Sequence, residues 1–475
     1  MFVRTANPSI ASTSPDFKKS WILIVGFVGL MGLSLAAGVG KAAALLFPVG
    51  SLYIACFFYF RMPHYYVGFT WWLWFIGPFV RRLIDFREGG LTPGDFVLTP
   101  LLVTWVSAIT FFRYLPYLYD KKALPFLLCI SSVVYAFIVG TIQGNPLNAN
   151  TYGTLKLLGP IFFGFHLFLD SPNYPKYRKV FLSVFLWGLI VMGVYGIFQR
   201  LILPQWDQLY LLHIEKENEV SQGVNSAFGL FSTAEGRQQF AGLIFPGLLL
   251  MLCHAGKSLP FIASIFGYLN FLLSRARAGW VSWLISMAIF LPSLKPQRQV
   301  RIILLISVSI AVMIPLSLTE PFSGFITERL GSLTDLSGDN SIGVRRAAYN
   351  ALFGEAIKEV IGRGVGFDLS RLTKISTFDG AILPMMFWLG WIGITFFAAG
   401  IYLLLWKVFS EKKSQNDDFA SASRAIAIGL FFQVGLNLIF ISTLAMVFWG
   451  FAGISLAANA YYRGILEGVE SELSQ

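Results

Sequence analysis

Charge is scarce in this chain: Asp, Glu, Lys and Arg together make up 13% of 475 residues. A soluble domain carries about 25%. With 56% hydrophobic residues and a mean hydropathy of +0.66, so little charge cannot build a solvated surface. That excludes a soluble enzyme and a disordered chain. Cysteine is nearly absent too. Cys56, Cys129 and Cys253 lie in apolar runs, none in a CxxC pair, so a disulfide scaffold is excluded and they read as small core hydrophobes. The four histidines (His64, His166, His213, His254) are scattered, and no metal cluster is expected. No small-residue cleavage site follows the first apolar run, which begins at Trp21, so no cleavable signal peptide is expected. Repeats and low-complexity tracts are also missing. What remains is an all-α polytopic membrane protein, with residues 1–475 forming a single integral membrane domain.

Apolar stretches recur from Trp21 to about residue 460. At roughly 20 residues per span they give about 12 to 14 transmembrane helices. The stretch at 65–80 is short and Trp-rich (Trp71, Trp72, Trp74), as an interfacial segment would be. The pair at 258–274 and 278–292 is interrupted by Arg275 and Arg277, and one bent element is the alternative. With the N-terminus inside, every inner loop carries a base, whereas the short connections at 142–151 and 441–443 carry none. Both termini then come out cytoplasmic. Two long hydrophilic segments, 200–238 and 319–380, fall on the outer face as periplasmic loops expected to contain short helices. The net charge of +11 reads as orientation and contact with membrane lipids, not as a nucleic-acid surface.

Arginine is skewed outward. This topology places about twelve arginines and five lysines outside, against about eight and eleven inside. Orientation does not distinguish the two bases, but binding a phosphate does, because guanidinium offers a planar bidentate fork. Two clusters stand out: Ser274-Arg275-Ala276-Arg277-Ala278-Gly279-Trp280 at the junction of two apolar runs, and Arg345-Arg346 in the larger loop. Charge so close to hydrocarbon defaults to function, and headgroup snorkelling is the alternative. After Arg345, apolar Tyr349, Leu352, Phe353, Ile357, Val360 and Ile361 fall at helical spacing, predicting an amphipathic helix over 345–361 that lies on the membrane domain. It ends in Gly362-Arg363-Gly364-Val365-Gly366-Phe367. These glycines read as a C-cap, or as backbone exposed to an oxyanion. Asp379, before Gly380 and the next apolar run, is either a helix N-cap or a general base. Glu235 and Arg237 sit at the rim where the earlier loop re-enters the membrane, and could pair with each other. Glu235, Glu355 and Asp368 are rivals to Asp379 as base.

In this order, the segment Phe231 to Phe240, the Ala276 to Trp280 element, Arg345 with Tyr349 four residues on, the Gly-x-Gly-x-Gly-Phe turn, and Asp379-Gly380 followed by Leu389-Gly390-Trp391-Ile392-Gly393 resemble the O-antigen ligase and polymerase superfamily of bacterial envelope glycosyltransferases. The likeness covers roughly 225–395. It implies a GT-C-like fold in the bacterial inner membrane, acting at the periplasmic face on a glycan carried by undecaprenyl diphosphate. It also implies an acceptor glycan or glycolipid, and a flippase and a chain-length regulator as partners. By motif position, Arg277 and Arg345 correspond to the arginines that hold the donor diphosphate. Arg346 is a substitute for Arg345, and Arg275 is an unmatched neighbour. The family's ligases carry a histidine where this chain has Asp379, which is closer to the exopolysaccharide-polymerase branch. The resemblance makes Asp379 the catalytic base and Glu235, Arg237, Gly364 and Gly366 rim or acceptor contacts. No cofactor is implied. A ligase acting on a lipid or protein acceptor stays open, and so does a transporter or flippase, for which Gln433 and Asn437 are the polar residues within the spans.

Overall fold

The computed structural model describes residues 15–90, 97–117, 122–218, 230–254, 257–318, 340–372, 380–410 and 414–473. Within them the chain is all-α. In order the helices are α1 (Pro15–Ala36), α2 (Gly40–Arg61), α3 (Pro63–Glu88), α4 (Leu98–Trp105), α5 (Ala108–Tyr114), α6 (Leu124–Ile142), α7 (Leu147–Leu169), α8 (Tyr174–Ile202) and α9 (Gln205–Asn218). They continue with α10 (Arg237–Leu252), α11 (Ser258–Leu273), α12 (Arg277–Phe290), α13 (Pro296–Leu318), α14 (Asn340–Ala356), α15 (Ile382–Ser410), α16 (Asp418–Phe431) and α17 (Ser442–Leu473). Six of these, α2, α6, α7, α8, α15 and α17, are long and apolar enough to cross a membrane. The protein is a multi-pass membrane protein.

The hidden helix is α10. Every residue from Phe240 to Leu252 is buried, because α8, α11, α12, α16 and α17 all pack on it. Its 16 residues span about 24 Å, short of the roughly 30 Å hydrocarbon thickness. The chain before it, 230–236, is non-helical and must satisfy its backbone on protein. Counting apolar runs misses this: α10, α11 and α12 have 16, 16 and 14 residues, shorter than free-standing spans. The long helices pair around them, α17 along α7 and α15 along α6. Small residues let the first pair close up. A Cβ on Gly453 would lie 2.7 Å from the Gly164 Cα.

Two open alternatives are decided. The Trp-rich stretch is not interfacial. It belongs to the 26-residue α3, and Trp71 and Trp74 are fully buried. Trp71 is ringed by Phe75, Phe163, Phe181, Phe185 and Phe451, and Trp74 donates its indole N–H to the Thr104 hydroxyl at 2.9 Å. A buried indole needs such a partner, and α4 supplies it. The 258–292 pair is two helices, since Ser274–Ala276 breaks it and α11 packs on α8 while α12 packs on α16. The first long loop opens with α9, a short helix of the kind expected there.

The amphipathic helix is shifted. It runs Asn340–Ala356 and buries Leu352 and Ala356 against Leu369, Leu383, Met386 and Phe387. Phe353, Ile357, Val360 and Ile361 are exposed. Past the end of the helix, the carbonyls of Glu359 and Val360 find partners in α15. α15 is broken at Gly390 (φ 61°, ψ −179°), which frees the carbonyls of Phe387 and Trp388 and the amides of Trp391 and Ile392. Glu359 O accepts from Trp391 N (3.0 Å) and Val360 O from Ile392 N (3.2 Å). Arg363 N donates to Phe387 O (2.6 Å) and Gly364 N to Trp388 O (3.1 Å). The two glycine motifs therefore complete each other's backbone hydrogen bonding.

The contact leaves no room for side chains. At Gly364 (φ +80°) a Cβ would sit 2.1 Å from the Gly140 Cα. Gly354, in α14, has nothing within 4 Å. Gly364→Ala is expected to destabilise by roughly 3 kcal/mol or more, and Gly354→Ala to stabilise by about 0.5–1 kcal/mol. Thermal unfolding in detergent reads both. Equal melting temperatures would refute the close approach.

Candidate functional site at the rim of α10 and α12

The helices α10, α12 and α17 begin at one end of the bundle, called the upper end. Before each start stands a residue, or the first residue itself, in the left-handed region: Ser232 (φ 48°), Arg275 (φ 56°) and Ser442 (φ 53°). Of the described non-glycine residues, Leu203 alone joins them. Such backbone costs about 1–3 kcal/mol per residue and persists only where the surroundings enforce it.

The enforcing side chains come mostly from α3 and α8. Arg82 of α3 is fully buried and pairs through Nε with Oδ1 of Asp207 at 3.0 Å. Its Nη1 donates to Ala234 O (2.6 Å), its Nη2 to Ser232 O, and its guanidinium lies over the rings of Phe231 and Tyr210. Asp207 Oδ2 accepts from the Tyr195 hydroxyl (2.7 Å) and Gln199 Nε2 (2.6 Å). Gln199 Oε1 in turn accepts from Ser232 N at 2.8 Å. At the start of the segment, Leu230 N donates to Leu273 O at 3.0 Å, tying it to the end of α11 and hence to Arg275 and Arg277.

Sequence reasoning passed over Arg82, Gln199 and Asp207. The one signal was an arginine pair, Arg81-Arg82, inside an apolar helix, which by itself marks a special position. Its partner lies 125 positions along the chain, and nothing local names it.

The segment 230–236 delivers Glu235 and Arg237 to the start of α10, and the break at Ser274–Ala276 brings Arg275 and Arg277 to the start of α12. The two helices run parallel, with their first turns touching: a Cβ on Gly279 would lie 2.9 Å from the Ala241 Cβ. Arg275 is buried, and Arg277 and Arg237 are half-buried. Neither Gly236 nor Ala276, the N-cap residues, gives a side-chain cap. Both helices begin with arginine, the unfavourable sign for a helix N-terminus. Beside them a cavity of about 140 Å³ is lined by Glu235, Gln238, Gln239, Asn437 and Ser442. Burial pushes the Glu235 carboxyl up to about 7, opposed by the nearby Lys156 ammonium.

Gln433 and Asn437 belong to this rim. Gln433 Nε2 donates to the Ser282 hydroxyl (2.7 Å) and its Oε1 accepts from Asn437 Nδ2 (2.5 Å). The same strand of chain receives the entry to α15, through Ala381 N to Val434 O at 2.8 Å.

The other sequence candidates lie elsewhere or outside what is described. Asp379 is outside the described residues, although its neighbour Gly380 rests on Gly435. The side chain of Arg345 is likewise outside them, and Arg346 is exposed on α14. Gly364 and Gly366 sit against α6 and α7, where Gln143, Asn145 and Asn150 hydrogen-bond the 362–366 backbone. Arg363 is folded onto Glu359 at 2.6 Å over the rings of Phe367 and Phe387. Glu355 is exposed, and Asp368 caps the short 3₁₀ turn at Leu369–Arg371. No protein-family model matches this chain, and no curated protein matches it.

Proposed function

We propose that this chain is a glycosyltransferase of cell-envelope polysaccharide assembly, with a GT-C-like fold of 12 to 14 membrane helices. It works at the periplasmic face of the bacterial inner membrane, which is the upper end, with both termini cytoplasmic. The donor is a glycan on undecaprenyl diphosphate and the acceptor is a sugar hydroxyl of a second glycan, so the product is polymer. The observation that carries this reading is the pair of touching, uncapped helix N-termini at α10 and α12, each beginning with arginine. Their partial positive charges add to the guanidinium charges, and a diphosphate is the kind of group that such a rim stabilises.

The chemistry needs little more. Diphosphate is a good leaving group. Arg277, with Arg345 or Arg346 from the larger loop, neutralises the charge that grows on it as the anomeric C–O bond breaks. A carboxylate takes the acceptor O–H proton while that oxygen attacks the anomeric carbon from the opposite face. The configuration inverts, and undecaprenyl diphosphate leaves with the bonding electron pair. No Asp-x-Asp pair occurs in the sequence, in keeping with a metal-independent displacement. The resemblance points to Asp379 as the base. Glu235 is the second candidate, favoured by its place on the cavity and its raised carboxyl.

The test uses the purified full-length protein in nanodiscs, with an undecaprenyl-diphosphate-linked repeat unit and EDTA present. A glycan ladder with released undecaprenyl diphosphate is expected. A base must be deprotonated to act. With Glu235 as base, the rate rises as pH climbs through about 7, and Glu235→Gln removes that rise. A profile already flat there, abolished by Asp379→Asn, assigns the base to Asp379. Transfer only after a lipid or protein acceptor is added means a ligase. Donor binding without transfer to any acceptor overturns the enzyme reading in favour of transport.

A further inference from the structure

A cavity lies at the opposite, lower end of the bundle. It holds about 320 Å³. Its wall is made by the ends of α7, α15 and α17 and the approach to α6, and it carries Lys122, Lys407 and Arg463 against the single carboxylate of Glu467. Lys407 Nζ donates to Lys122 O at 3.1 Å, which fixes the end of α15 beside the start of α6. The floor is apolar, with Phe165 and Phe168 of α7 and Leu456 of α17. Nothing in the glycosyl-transfer reading uses this site.

Its depth can be read from its neighbours. Tyr402, Trp406 and Phe409 of α15 are exposed around Lys407, and Phe112 and Tyr114 are exposed on α5. Exposed aromatic rings beside lysines mark the headgroup level of a bilayer. The lower end also gathers the lysine-rich loops that the positive-inside rule places in the cytoplasm. A pocket there, with two net positive charges at the mouth and aromatic rings below, matches one chemistry. The charges suit a phosphate diester, and the apolar floor suits the first methylenes attached to it.

We propose that this cavity is a binding site for the phosphate of an anionic phospholipid of the cytoplasmic leaflet. A soluble phosphate would meet the positive charge of the mouth but leave the apolar floor wet.

The test is native mass spectrometry of the full-length protein with added phosphatidylglycerol or phosphatidylcholine. Selective retention of phosphatidylglycerol is expected. The triple variant Lys122→Gln/Lys407→Gln/Arg463→Gln should lose that selectivity by at least about tenfold. Ala460→Trp, which fills the cavity and keeps every charge, should also lose the bound lipid, so the proposal stays testable if the triple variant folds poorly. Unchanged retention in Ala460→Trp, or equal retention of the two lipids by the wild type, overturns it. Displacement of the lipid by inorganic phosphate alone overturns the lipid as occupant and assigns the site to a soluble phosphate.

Discussion

Replacing Arg277 with alanine is expected to lower glycan transfer by about 10²–10³-fold, the usual cost of removing one donor aimed at developing negative charge. The protein should still insert. Arg277 is the first residue of α12, half-buried, and its charge opposes the dipole of its own helix. Thermal unfolding measured beside the rate separates a lost ligand contact from a lost structural one. Arg277→Lys keeps the charge but loses the bidentate fork, and an intermediate rate is expected. Arg345→Ala should fall as far as Arg277→Ala if both hold the diphosphate. The measurement is the glycan ladder and released undecaprenyl diphosphate at fixed protein. Full polymer from both alanine variants would remove these arginines from the donor site.

Arg82→Met is expected to give the largest loss of stability, about 3–5 kcal/mol. Arg82 and Asp207 are both fully buried. Removing the guanidinium strands the Asp207 carboxylate and unties the carbonyls of Ser232 and Ala234 in one step. Adding Asp207→Leu should recover part of the loss, because a buried ion pair replaced on both sides by apolar groups is often tolerated. Activity should not return in the double variant. Ser232 keeps its unusual backbone only while Arg82 and Gln199 hold it, and Glu235 and Arg237 follow from it. Thermal unfolding in detergent, paired with the ladder assay, separates the two effects. A double variant that is active would mean that the 230–236 segment holds its shape without the ion pair.

The class of protein was legible from composition, and so were several rim residues. Arg275 and Arg277 were marked by charge beside hydrocarbon, and the structure sets them beside the segment that carries Glu235 and Arg237. The glycine motifs were legible as motifs but not in their role. Nothing in Gly362-Arg363-Gly364 says that its amides will complete a helix broken at Gly390, since that pairing joins residues more than twenty positions apart. The place of Trp71 and Trp74 stayed open for a related reason. Tryptophan suits both an interface and a core, and only the rings that surround Trp71 and the arrival of Thr104 at Trp74 decide between them.

By itself the sequence determined that this chain lives in a membrane and where its charges stand along it. Those properties add up residue by residue, and no folding can hide a deficit of charge from water. Only the tertiary structure decided which charges meet. Arg82, Asp207 and Ser232 come from three separate segments, and burying a guanidinium pays off only when all three arrive together. Whether a carboxylate such as Glu235 lies open to water or is shut into a rim, where burial raises it, is likewise a property of the assembled neighbours.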